Sequence, residues 1–125
     1  MDFRIGSLYL CVSDMDRAVA FYEKFLERDV TERDKIYSVF DLHGFRLGLF
    51  AYREMNEEHT FGSNCLPSLS VGSLGDLRKK TEGLKIVFPL TKIGPNWVTE
   101  FEDSEGNHVE LTAPVRRDEA EEEIG

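Results

Sequence analysis

Two titratable side chains, His108 and Glu110, stand two residues apart in a segment, His108 to Ala113, that alternates apolar and polar residues like a strand. Residues i and i+2 of a strand project side by side from one face, so an imidazole and a carboxylate at this spacing can form a general acid–base pair in a cleft. A structural reading is also open, in which Glu110 is balanced by Arg46 or hydrogen-bonds nearby serines, because a buried carboxylate needs a partner. A third arrangement would add His43 or His59 to Glu110 and His108 as metal ligands. Those two histidines fall in a turn and in a polar linker, where solvated imidazoles are ordinary. Trp97 and Tyr9 can stack on a planar ligand, with Arg46 pairing to its carboxylate or phosphate, or the rings can simply pack. Cys11 has no neighbouring base to activate it and reads as packing. Gly44 and Gly106 read as turn residues without a phosphate-binding context.

The elements that would hold these groups follow from periodicity. From Arg4 to Val12 the chain alternates, with Leu8, Leu10 and Val12 on one face and Ser7, Tyr9 and Cys11 on the other. Ser13 and Asp16 have the spacing of a capping box, and Met15, Ala18, Val19, Tyr22, Phe25 and Leu26 recur with a helical period. Tyr37 to Leu42, His43-Gly44 and Phe45 to Tyr52 predict a hairpin whose second strand puts Arg46, Gly48 and Phe50 on one face. Polar residues 53–63 form the expected linker. The pattern then restarts: Leu69 and Val71 alternate with Ser68 and Ser70, and Ser73 with Asp76 repeats the capping spacing before a helix over Leu74 to Glu82 ended by Gly83. Strands are predicted around Lys85 to Phe88, Asn96 to Glu102 and His108 to Ala113, with a Pro/Gly loop after the first and a DSEGN turn after the second.

Superposing Val12 on Val71, and Gly44 on Gly106, relates the two halves as an ordered repeat. The expected fold class is α+β: two β-α-β-β-β modules, about residues 4–52 and 64–114, forming curved antiparallel sheets around a cleft with the helices outside. The strand faces turned away from the helices carry Ser7, Tyr9, Cys11, Arg46, Phe50, Ser68, Ser70, Trp97, His108 and Glu110. That mixture of aromatic and polar groups is the lining expected of a small-molecule pocket.

Composition limits the function classes. The 125 residues suit one domain, 1–114, followed by an acidic flexible tail over 115–125 (VRRDEAEEEIG). A formal charge of -9 argues against nucleic-acid and anionic-membrane partners, which are recognised by clustered Lys and Arg. No apolar run reaches the roughly 20 residues that span a bilayer, nothing resembles a signal peptide, and Cys11 and Cys65 have no zinc or disulfide spacing, so a cytoplasmic location is expected.

The segments LYLCVSDMDRAVAFYEKFL and WVTEFEDSEGNHVEL resemble the two signature ends of the vicinal oxygen chelate superfamily, which includes glyoxalase I, extradiol dioxygenases and bleomycin-resistance proteins. The resemblance covers about residues 4 to 114. It departs where the usual glycine after the first helix is Glu27 and the usual proline of the last turn is Ser104. Metal-dependent members place four ligands, commonly His, Glu, His and Glu, on the first and last strands of each module. The matching positions here are Ser7, Gly48, Leu66 and Glu110, and only Glu110 keeps a ligand. The resemblance therefore implies a protein without a metal cofactor that binds a small molecule through Ser7, Tyr9, Arg46, Phe50, Ser68 and Trp97, with Glu110 and His108 as candidate catalytic groups. The alternative it implies is a divalent-metal lyase, isomerase or dioxygenase using Glu110. Single-domain members commonly form homodimers, which is the expected assembly.

Overall fold

The computed structural model describes residues 1–59 and 65–119. The chain divides into two units, Met1–Phe61 and Gly62–Gly125. The first runs β1 (Ser7–Val12), α1 (Met15–Leu26), β2 (Tyr37–Leu42) and β3 (Phe45–Ala51), ending in a 3-10 turn at Tyr52–Met55. The second runs β4 (Ser68–Ser70), α2 (Leu74–Thr81), β5 (Lys85–Ile93), β6 (Asn96–Glu102) and β7 (His108–Pro114), then a 3-10 turn at Arg117–Glu119. With two helices, a three-stranded sheet ordered β1-β3-β2 and a four-stranded sheet ordered β4-β7-β6-β5, the fold is α+β.

Both sheets are mixed, which corrects the expectation of antiparallel sheets: β1 pairs parallel to β3, and β4 parallel to β7. In the second unit β5 is antiparallel to β6 and β6 to β7, so the helical crossover from β4 must deliver β5 parallel to β4. Two hairpin reversals then return β7 in that same direction. The first unit differs from the expected β-α-β-β-β module because the strand after its helix is reduced to one antiparallel bridge, Glu32 to Val39. Residues 27–36, ERDVTERDKI, offer few apolar groups to cover a sheet, and the Asp34 carboxylate accepts from the amides of Ile36 and Tyr37, turning the chain into β2.

The core of the first unit joins Leu10 and Val12 of β1 and Leu47 and Leu49 of β3 to Met15, Ala18, Val19 and Tyr22 of α1, with Phe40 between. The cap of α1 is Asp14, whose carboxylate accepts from the Arg17 amide at 3.0 Å, and not Ser13 as the spacing suggested. Ser13 instead accepts from the Arg17 side chain. Glu27 ends the helix at φ 55°, a left-handed position that favours glycine. In the second unit Ser73 caps α2 as expected, accepting from the Asp76 amide, and Leu74 and Leu77 are buried where α2 lies against β7.

Strand β5 runs through Pro89, where a loop was expected, with register breaks between Ile86 and Phe88 and between Phe88 and Thr91. An edge strand tolerates proline because its outer amides pair with nothing. The last turn is built on Asp103, whose carboxylate accepts from the amides of Glu105 and Asn107, both at 2.8 Å, with Gly106 at φ 90°. Ser104 is accommodated there without a proline. Of the expected tail, Val115 donates to the Pro95 carbonyl and Arg117–Glu119 form their single turn; 120–125 lie outside the described residues, as do 60–64 of the expected linker. Among the described residues no helix is long and apolar enough to cross a membrane.

Candidate functional site

The repeat seen in the sequence is exact at the level of strand register. The superposition that places Val12 on Val71 carries Tyr9 onto Ser68, and the one that places Gly44 on Gly106 carries Gly48 onto Glu110. In the structure Tyr9 pairs with Gly48 and Ser68 pairs with Glu110. Each unit therefore presents one face of its sheet away from the apolar core, and the expected site residues can be placed on these two faces.

On the first face Ser7, Tyr9 and Cys11 oppose Arg46, Gly48 and Phe50, and Tyr37, Val39 and Asp41 of β2 complete the row. Three rings gather there. Tyr9 meets Tyr37 edge-on with centroids 6.0 Å apart, and meets Phe50 edge-on at 5.6 Å, the arrangement the ring quadrupole favours. Tyr9 is 54% exposed although it stands in a strand. Arg46 lies across from Ser7 and pairs at 2.6 Å with Glu32, so the balancing partner suggested for Glu110 is engaged within its own unit. Burial, with a smaller contribution from Glu57, raises the Cys11 thiol above its ordinary value, which keeps it protonated and unreactive at neutral pH.

Gly48 is where the sequence departs most from a metal site, and the structure gives the reason for the glycine. Its backbone is not left-handed; the constraint is space. A Cβ at residue 48 would lie 2.1 Å from the Tyr37 hydroxyl oxygen and 2.4 Å from Cζ. The Tyr37 phenol rests on the bare backbone where a ligand side chain would begin. Tyr37 was not among the expected site residues. The alternation Tyr37, Val39, Asp41 against Ser38, Phe40, Leu42 carried the signal.

On the second face Ser68 donates to a Glu110 carboxylate oxygen at 2.6 Å, the serine contact foreseen as its structural role. On the other side of β7, Glu110 faces Glu100, and His108 faces Glu102, which Lys85 approaches at 3.1 Å. His108 Nδ1 is buried and makes no hydrogen bond among the described residues. Glu100 and Glu102 were not expected, because placing Trp97 on this face turned the even-numbered residues of β6 away from it.

Trp97 does not belong to this face. It pairs with Ala113, on the core side together with Phe101, Val109 and Leu111, is fully buried, and its indole donates to Glu119 at 3.3 Å. The expectation that it lines a pocket is corrected by strand parity: Val98, Glu100 and Glu102 share the side of Glu110, and the odd-numbered residues of β6 turn inward. His43 is exposed in the β2–β3 turn at φ 55°, and His59 lies against the Tyr52 ring.

The four positions do not fit a divalent ion. Gly48 offers no side chain and is covered by a phenol, Leu66 offers only hydrocarbon, and Ser7 a neutral hydroxyl, leaving Glu110 as the one anionic donor. Among the described residues no group of three or more His, Cys, Asp or Glu is arranged to hold a metal. An open groove of about 640 Å³ at the start of α1 contains none of the expected residues; there Arg33 pairs with Asp16 and Lys35 with Glu54, while Asp14 and Asp34 accept from backbone amides.

No curated protein matches the chain. Solved structures do, at low identity. A glyoxalase-related enzyme from Fulvimarina pelagi is 13% identical, with a TM-score of 0.76 over 92% of this chain and 94% of its own. A glyoxalase/bleomycin resistance protein/dioxygenase family enzyme from Burkholderia phytofirmans PsJN is 17% identical, with a TM-score of 0.72 over 87% and 97%. The fosfomycin resistance protein FosX from Listeria monocytogenes is 14% identical, with a TM-score of 0.69 over 90% and 94%. These likenesses carry the fold. The family model described as Glyoxalase/Bleomycin resistance protein/Dioxygenase superfamily matches residues 4–111, and the chain belongs to that superfamily.

Proposed function

We propose that this chain is a small-molecule-binding protein of its superfamily that works without a metal, holding a planar ligand on the open sheet face of its first unit and sequestering it rather than turning it over. The observation that carries this reading is the three-ring cluster of Tyr9, Tyr37 and Phe50 on a glycine floor, with Tyr9 half exposed. A ring displayed in this way has apolar area still to bury, on the order of 25 cal/mol for each Å² removed from water. Ser7 and Arg46 on the same face supply polar contacts, and in the second unit Ser68 stands where Tyr9 stands in the first. The test is a thermal-shift screen of aromatic compounds against wild type and Tyr9→Ala. Compounds that raise the melting temperature of wild type are expected to lose most of that shift in the variant, and a screen in which none shifts wild type would sink the reading.

A second reading is a divalent-metal-dependent lyase, isomerase or dioxygenase in which Glu110 and His108 move a proton. The buried His108 Nδ1, unpaired among the described residues, on the strand that carries the Glu110 carboxylate held by Ser68, favours it. Elemental analysis of protein purified without chelator separates the two: stoichiometric Ni, Zn, Fe or Mn would overturn the metal-independent reading.

A further inference from the structure

The three rings of the first face are not equivalent. Tyr9 and Phe50 offer apolar surface, while Tyr37 brings a polar atom to a defined place. Its ring is held by the edge contact with Tyr9, and its hydroxyl end lies against the backbone of Gly48, at the position where a side chain of residue 48 would start. No other residue type is accommodated at 48 while the phenol stays there. The hydroxyl makes no hydrogen bond among the described residues, and it is not among their buried unpaired atoms, which are limited to His108 Nδ1. It is thus an oriented donor on a half-buried residue, not sealed from solvent. Of the other polar groups on this face, Ser7 offers a hydroxyl, Arg46 is paired with Glu32, and the Asp41 carboxylate accepts from the Gly44 amide.

We infer that the Tyr37 hydroxyl is the polar recognition group of this face, and that its ligands are planar conjugated molecules carrying an acceptor oxygen, a carboxylate or a ring carbonyl, next to the ring. The inference rests on the small-molecule reading above and adds to it the residue and the ligand chemistry. The phenol takes over the place of the missing ligand side chain and replaces charge-based capture with one directed hydrogen bond on an aromatic floor.

The test is calorimetric titration of wild type, Tyr37→Phe and Tyr9→Ala with 2-naphthoate and with 2-naphthylmethylamine, which shares the ring system but presents a cationic donor. Wild type is expected to prefer 2-naphthoate. Tyr37→Phe keeps the ring and should weaken 2-naphthoate about 3- to 10-fold, the worth of one hydrogen bond, while leaving the amine unchanged. Its melting temperature should match wild type, since the hydroxyl has no partner to lose. If 2-naphthoate binds through Tyr9 but Tyr37→Phe binds it as well as wild type, or if the amine binds better, the Tyr37 inference is overturned and the aromatic site survives. If neither compound binds wild type, or binding ignores Tyr9→Ala, the small-molecule reading falls and takes the inference with it.

Discussion

At residue 48 the side chain removed matters as much as those present. Gly48 pairs with Tyr9 and Val39 in the middle strand of its sheet, a position where glycine is normally unfavourable, and the phenol of Tyr37 explains its presence. Gly48→Ala should therefore destabilise the protein by about 1–3 kcal/mol, the usual cost of overpacking, despite alanine's better conformational economy. In a Tyr37→Ala background the same substitution should cost much less, because the clashing atoms are gone. Chemical denaturation of the two single variants and the double variant measures this coupling, and additive effects would show that the clash is relieved elsewhere. The glycine was visible in the sequence, as was its lack of a donor. Its cause was not, because Tyr37 reaches it from the neighbouring strand.

At the scale of elements, helix ends and turns decide where the strands start. The residue after α1, Glu27, holds φ 55° while its amide donates to the Glu23 carbonyl. A glutamate in that conformation is strained relative to glycine, so Glu27→Gly should stabilise the chain by about 0.5–1 kcal/mol, read as an increase in denaturation midpoint at unchanged slope. Glu23 also accepts from the Val30 amide, a contact Glu27→Gly leaves in place. The helices and hairpins were legible because their signals are local: a helical apolar period, a capping spacing, a Gly at a tight turn. The pairing directions were less so. Parallel β1–β3 and β4–β7 pairs join strands far apart in sequence, and the shrunken strand at Glu32 reflects competition from the Asp34 turn.

For the whole molecule, acidity and assembly are the measurable properties. Hydrogen bonds from the Ile36 and Tyr37 amides lower the Asp34 pKa below its ordinary 3.8. A carboxylate whose folded pKa is depressed contributes stability that is present above the unfolded value and lost as pH falls through the folded one. Thermal melts of wild type should thus lose stability below about pH 4, and Asp34→Asn, which cannot titrate, should show a smaller loss over the same window. Equal losses would place the acid sensitivity elsewhere among the 24 Asp and Glu. We further propose a homodimer, as the family resemblance implies. Size-exclusion chromatography with light scattering should give about twice the 14.3 kDa chain mass, and a clean monomer would refute it.

The sequence by itself determined the two helices, the alternating strands, the repeat and the superfamily, because each is written in short-range periodicity or in a local motif. At the four positions where the resemblance places ligands, it leaves only Glu110 with a ligand side chain. Tertiary structure decided which face each strand presents. It turned Trp97 inward against Ala113 and Glu119, set Ser68 on Glu110, and laid Tyr37 over Gly48. A shift of one residue reverses the face of every side chain in a strand, and only pairing with a neighbouring strand fixes that register.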